Sequence, residues 1–385
     1  MGYRSPRGFW WKTNIGMSGL AIVKGYLQFA REKELTSHAF QQPQVKRMNV
    51  TVILCTFNRC RTLRTALESV AASQMPESVD WDVLVVDNNS KDQTREVVDE
   101  YIRKFPRRFH YLFEALQGKS NALNSGIREA RGEILAFLDD DVTVEPTWLQ
   151  HLTSHVQSGE WIGAGGRIRA TESVALPRWL ALRGSYGLGG VLCGLFDRGD
   201  VPCELDCAPN GSNMAFHRSA FEKYGCFRTD MGPSADGKIP RPNEDTEFGR
   251  RIMAAGERLR FEPAAVVYHP VLPERLRKDY FLSWWFDYGR AVILERGTRP
   301  AIFGVPAQFV CIPNLIVRFL SVRTLQWCFA LNPQRRFFSK CWVWYTAGQI
   351  SQIYRQSIKP KSVNGAWGQY RRLVMPLFSK RGSQL

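Results

Sequence analysis

Residues 296–385 contain no Asp and no Glu. A segment so one-signed seeks an anionic surface, either phospholipid or nucleic acid. Its Arg318, Arg323, Arg335, Arg336, Lys340, Arg355, Lys359, Lys361, Arg371, Arg372, Lys380 and Arg381 supply most of the formal charge of +16. Nor is there a disulfide framework: the nine cysteines are an odd number, several lie in apolar runs, and 385 residues bury enough core without crosslinks. A reducing, cytoplasmic setting is expected. Cys203 and Cys207 are spaced like metal ligands, but no second Cys or His pair follows at zinc-finger distance. Gly118-Lys119-Ser120 lacks the upstream glycine of a Walker loop, which excludes a P-loop ATPase. The uncharged run 300–317 is interrupted by Pro300, Pro306 and Pro313, so a spanning helix is not expected there. Residues 15–23 are apolar but broken by glycines and a serine and lack a cleavage site, and Pro6 breaks the myristoylation pattern that Gly2 would begin. No internal repeat or low-complexity segment is present.

What is present is an alternation of strand and helix. After a basic, aromatic-spiked extension over residues 1–47, the β-branched run 50–54 reads as a buried strand, with a helical pattern from its turn to residue 70. Residues 81–86 repeat this, with a helix over 92–105. A short strand over 110–113, a helix over 119–130 and a strand over 133–138 follow. Such alternation predicts parallel pairing, and open parallel sheets bind ligands beyond the carboxyl ends of their strands. Thr56, Asp87 and Asp141 are therefore expected on one rim. Further on, residues 148–156 read as helix and 163–169 as the start of an irregular, Gly-rich region. Residues 213–216 read as strand, 219–224 and 243–255 as helices, and 260–268 as a last strand ending at His269.

Asp139, Asp140 and Asp141 follow directly on the apolar run 134–138, which delivers three carboxylates to one sheet edge. A solvated acidic turn would also look like this. Three adjacent anions repel unless a cation neutralises them, and a hard divalent ion fills its remaining positions with phosphate oxygens and water, as a nucleoside diphosphate would supply. The Asp87-Asn88-Asn89-Ser90 turn suits either an Asx turn or a carboxylate that binds a base or ribose.

In this order the motifs resemble glycosyltransferase family 2, over residues 48–272. They are Cys55-Thr56-Phe57-Asn58-Arg59, Val86-Asp87-Asn88-Asn89-Ser90-Lys91-Asp92, residues 118–126, residues 137–141 and Asn243-Glu244-Asp245. The resemblance implies a GT-A fold and an inverting transfer of sugar from a nucleotide-diphospho-sugar, with Mn²⁺ or Mg²⁺ as cofactor. It implies that Thr56, Asn58, Arg59, Asp87, Lys119, Asn124, Asp139 and Asp140 hold the donor, that Asp139, Asp141 and His269 hold the metal, and that Asp245 is the catalytic base beside Glu244. Gly211 and Asn213 would border the acceptor. Leu123 departs from the pattern, since many relatives carry an arginine there, which puts donor identity in doubt. For His269 a hydrogen-bonded residue at a strand end is an equal reading, as is a simple turn for residues 211–214.

Displacement of a nucleoside diphosphate needs a Lewis acid on the leaving group and a base on the attacking hydroxyl. A nucleotidyltransferase would also place aspartates at strand ends but leaves Glu244-Asp245 unexplained; a nucleic-acid-binding protein could use the basic tail. The expected organisation is an extension (1–47), an α/β GT-A domain with a mostly parallel sheet (48–272) and a basic, mainly helical region (273–385). The last region, with its aromatic clusters at 327–331 and 342–345, is expected to rest on the inner face of the cell membrane. The expected partners are a nucleotide sugar, a glycan or lipid-linked acceptor and an anionic membrane surface, with no specific nucleic acid.

Overall fold

The computed structural model describes residues 48–171, 175–234, 243–297, 301–302, 305–306 and 321–358; the extension 1–47 and most of the run 300–317 lie outside them. The expected alternation gives β1 (Met48–Thr56), α1 (Cys60–Ala71), β2 (Val79–Asp87), α2 (Thr94–Lys104), β3 (Phe109–Phe113), α3 (Lys119–Glu129) and β4 (Ile134–Asp139). β1 pairs in parallel with both β2 and β4, and β2 with β3. Because β1 is covered on both faces, Val52, Ile53 and Leu54 are wholly buried, which is why the segment reads as an unbroken apolar run.

Next come β5 (Thr143–Val144), α4 (Trp148–Gln157), β6 (Gly163–Ala170), α5 (Gly189–Cys193), β7 (Cys203–Glu204), β8 (Asn213–His217), α6 (Ser219–Tyr224), α7 (Glu244–Ala254) and β9 (Leu259–His269). One nine-stranded sheet results, in the order β3-β2-β1-β4-β8-β6-β9-β5, with β7 on β9. The sheet is mostly parallel, with β5, β7 and β8 running against the other six strands. β8 runs antiparallel to β4 and β6, because the chain leaves β6 at the rim and re-enters β8 from that same rim without a crossover helix. The start of the Gly-rich region is strand β6, whose register on β9 shifts between Gly166 and Arg167, and its glycines admit close neighbours: a Cβ on Gly163 would lie 2.3 Å from the Phe216 ring. Apolar cores fill both faces, one built on Leu63, Leu67, Val98 and Trp148, the other on Phe137, Phe216, Phe221 and Phe248.

The C-terminal region continues with a 3₁₀ turn (Pro273–Leu276) and α8 (Lys278–Arg296), then the short strands β10 (Ala301–Ile302) and β11 (Val305–Pro306), α9 (Val322–Phe329) and α10 (Pro333–Ile358). α8 and α10 meet backbone to backbone: a Cβ on Gly289 would lie 2.0 Å from the Tyr345 carbonyl oxygen, and one on Gly348 2.0 Å from that of Phe286. Around this contact the rings of Trp285 and Trp342 stand 5.2 Å apart and those of Tyr288 and Tyr345 5.3 Å. Trp179 joins them through Phe337, at 4.4 Å. The aromatics of 342–345 thus largely pack inside a helix pair, because Gly289 and Gly348 bring the helices close enough for rings to interlock. Among the described residues no helix is long and apolar enough to cross a membrane. Seven described cysteines, Cys203 and Cys207 included, are free thiols.

Candidate active site

Strand register sets the rim. Thr56 stands opposite Asp87, Cys55 opposite Asp139, Leu138 opposite Asn213 and Ala170 opposite His269. The loop between β1 and α1 and the turn after β2 are tied together there: the Asn58 amide donates to Ser90 Oγ at 2.9 Å, and the Lys91 amide donates to Asn58 Oδ1 at 2.7 Å. Asn58 (φ 52°) and Asn89 (φ 67°) both take left-handed backbone, where Asn is tolerated better than most residues. Asp87 is buried; its carboxylate accepts from the Ser90 amide at 2.9 Å and from the Tyr111 hydroxyl at 2.8 Å. It therefore ties the turn after β2 to its own strand and stands as a carboxylate at the rim.

The three aspartates have three environments. Lys119 Nζ lies 2.6 Å from Asp139 and 3.7 Å from Glu244. Burial opposes the charge on Asp139, but the Lys119 ammonium holds this carboxyl below its usual range. Asp140 accepts from Thr56 Oγ1 at 2.8 Å and from Arg59 at 3.0 Å, and burial nevertheless pushes it up to about 6. Asp141 is met by Arg59 at 2.9 Å, Arg275 at 3.4 Å and His269 Nε2 at 3.5 Å. His269 Nδ1 lies 2.9 Å from the Pro270 carbonyl oxygen, which can only accept. The proton therefore sits on Nδ1, and in the neutral ring Nε2 turns its lone pair toward Asp141. Among the described residues no three His, Cys, Asp or Glu side chains gather at metal-ligand geometry. Asp139 is drawn to Lys119, and Asp141 and His269 face each other with Arg275 touching both.

Glu244 and Asp245 open α7 across the rim. Burial, with the neighbouring Asp245 charge, pushes Glu244 up to about 7 against the pull of Lys119. Asp245 is half-buried; its Oδ2 accepts the Gly211 amide at 2.6 Å and its Oδ1 the Thr246 amide at 2.6 Å. Gly211 thus belongs to the site through its backbone, and an added Cβ would lie 2.9 Å from Asp245 Oδ2.

Two expected residues stand away from the rim's open space. Asn213 is fully buried and gives its whole amide to the fold: Nδ2 donates to the Arg167 and Ala265 carbonyls, and Oδ1 accepts from Trp148 Nε1. Asn124 is likewise engaged on both sides with the Phe227 backbone, pinning α3 to the chain before α7. Arg275 was missed, because it lies beyond the motif-bearing segment, in a turn with no periodicity to mark it.

The rim thus sets cations among buried carboxylates on one side and a carboxylate held by backbone amides on the other. Residues 51–225 match the family model described as glycosyl transferase family 2. Over that segment the protein is a glycosyltransferase of family 2. It is 28% identical over 244 residues to the succinoglycan biosynthesis protein ExoM of Rhizobium meliloti, covering 63% of this chain and 74% of that protein. It is 28% identical over 254 residues to a glucosyl-dolichyl phosphate glucuronosyltransferase of Haloferax volcanii, covering 64% of this chain and 77% of the other. The mannosyltransferase PcManGT of Pyrobaculum calidifontis, solved with GDP-Man and Mn²⁺, superposes with a TM-score of 0.54 at 17% identity, over 88% of this chain and 97% of that one. The likeness is one of fold, and it gives this glycosyltransferase the GT-A architecture. The nucleotidyltransferase reading is set aside.

Proposed function

We propose that this glycosyltransferase moves a hexose or related sugar from a nucleotide-diphospho-sugar to a hydroxyl of a glycan or lipid-linked acceptor, with inversion, in assembly of a cell-surface polysaccharide or glycolipid. The observation that carries the reading is the opposition of two differently held carboxylates, Asp141 among cations and Asp245 on backbone amides. Asp141 and His269, with Asp139, would hold Mn²⁺ or Mg²⁺; two facing acceptor atoms 3.5 Å apart, with the His269 tautomer fixed from behind, fit a cation between them. A divalent ion bound there supplies the Lewis acid for the leaving diphosphate. Lys119, Arg59 and Arg275 add positive charge on the same side, while Thr56 and Asp87 face the nucleoside. Asp245, oriented by Gly211 and Thr246, takes the proton from the acceptor hydroxyl, and Glu244 keeps Lys119 in place. Screening nucleotide sugars for donor hydrolysis and thermal stabilisation with Mn²⁺ or Mg²⁺ tests this. No response from the folded protein to any nucleotide sugar contradicts it.

The proposal includes attachment to the inner face of the cell membrane. On α9, Val322, Leu325 and Phe329 are exposed at one-face spacing, Leu331 is 99% exposed, and the cations Arg335 and Arg336 lie exposed beside them. Exposed apolar side chains next to exposed cations fit an anionic headgroup layer, at up to about 1 kcal/mol per cation. Flotation with anionic vesicles at low salt should carry the wild type and lose the Leu325→Ser/Phe329→Ser variant; equal flotation of both contradicts the assignment.

A further inference from the structure

Beside the charged rim lies a second feature that the transfer chemistry leaves unused. A cavity of 450 Å³ opens between Arg59 and the start of α8, within the about 300–1,000 Å³ range of small-molecule sites. Two of its lining residues, Arg59 and Arg275, are the cations on Asp141, so whatever occupies it lies next to the reacting centre. Its opposite wall is aromatic: Tyr280 and Trp284 sit one turn apart on α8, both half-buried, and line the cavity together. Trp284 is braced from behind by Tyr288, with centroids 5.2 Å apart and planes at 31°, and by Trp285 at 6.1 Å. Phe281 and Trp285 are buried where α8 packs onto the rest of the protein, while Tyr280 and Trp284, partly buried against the same cluster, also line the cavity. Leu272 and Pro233 complete the apolar part, and Glu274 offers an exposed carboxylate at the edge.

We infer that this cavity is a carbohydrate-acceptor subsite, in which the Trp284 ring, with Tyr280 beside it, takes the C–H face of a pyranose of the incoming glycan. The inference rests on the transfer reading proposed above. A pyranose carries both surfaces the cavity offers: axial C–H groups with partial positive charge for the negative face of an aromatic ring, and a rim of hydroxyls for Glu274 and Arg275. An alkyl chain would leave three charged side chains facing hydrocarbon, whereas the hydroxyls of a glycan can meet all three. A ring already fixed by its neighbours also loses little freedom on binding.

The probes are four neutral tetrasaccharides, of cellulose, maltose, gentiobiose and chitin type, at millimolar concentration, with saturation-transfer NMR as readout. The wild type is expected to contact at least one. Trp284→Ala should weaken that contact about fivefold to tenfold, the scale of one aromatic stacking contact. Trp284→Phe should retain part of it, and Tyr280→Ala should weaken it less. Thermal melts confirm folding, and calorimetric affinity for a nucleoside diphosphate with Mn²⁺ should be the same in all four proteins. Equal saturation of wild type and Trp284→Ala overturns the subsite, as does no contact with any tetrasaccharide by a wild type that binds nucleotide. Farnesyl diphosphate binding that depends on Trp284 would overturn it in favour of a lipid-linked diphosphate. Failure of the wild type to bind any nucleoside diphosphate would instead remove the transfer reading on which it rests.

Discussion

At the strand-end rim, carboxylates meet guanidinium and ammonium groups within hydrogen-bonding reach, whereas between α8 and α10 the contacts are ring against ring and backbone against backbone. The first region is organised to handle charge that a substrate brings: burial pushes the Asp140 and Glu244 carboxyls up, and Lys119 holds that of Asp139 down. The second is organised to be rigid. Yet it is the second that reaches into the first, through Arg275 on Asp141 and through the Trp284 wall. Chemistry and positioning are thus carried by different kinds of packing, and perturbing each should have a different signature.

The largest effect is expected at the rim. Asp245→Asn keeps a side chain that fits beside Gly211 but cannot accept a proton, so turnover should fall roughly a hundredfold or more while donor affinity persists. Steady-state rates alongside calorimetry check this, and wild-type turnover in a folded Asn variant removes Asp245 from the mechanism. In the helix pair the effect is on stability. Gly289→Val places a side chain against the Tyr345 carbonyl and should destabilise the fold by about 1–3 kcal/mol, read as a shift of the urea midpoint. An unchanged midpoint means that α8 and α10 do not pack as described.

A smaller effect separates the two by pH. Glu244 rises from 4.5 in the unfolded chain to about 7 in the fold, so the folded state binds more protons between those values. Its contribution to stability is full below the lower value and is lost as pH rises through the upper one. In metal-free protein, Glu244→Gln should flatten the decline of the unfolding free energy between about pH 4.5 and 7, by an amount on the order of 1–3 kcal/mol, read from urea midpoints. Gly289→Val should shift the whole curve without flattening it. Parallel pH curves for wild type and Glu244→Gln contradict the burial of Glu244 as an ionisable group.

Much of the rim was legible because two signals coincide in it: an apolar strand run such as 134–138, and a polar residue where that run stops. Thr56, Asp87 and Asp139 to Asp141 were located in this way, and the register brings them together. Asn124 and Asn213, read as donor and acceptor residues, are both buried with their amides on backbone carbonyls. An amide that pins backbone and one that binds a ligand are the same residue type, and only burial distinguishes them. β6 was obscured because glycines, which lower strand propensity, were required by close neighbours from β8. Arg275 and Trp284 left no local signal, since their roles depend on where the 3₁₀ turn and α8 lie in space.

The central claim is that Asp141, facing His269, is the anchor of a divalent ion that carries the donor diphosphate. Titration calorimetry of GDP and UDP into the wild type and Asp141→Ala, each with and without Mn²⁺, tests it most directly. The account predicts that Mn²⁺ strengthens nucleotide binding to the wild type and that Asp141→Ala loses this enhancement while still folding. Equal nucleotide affinity in both proteins, with and without Mn²⁺, would contradict it.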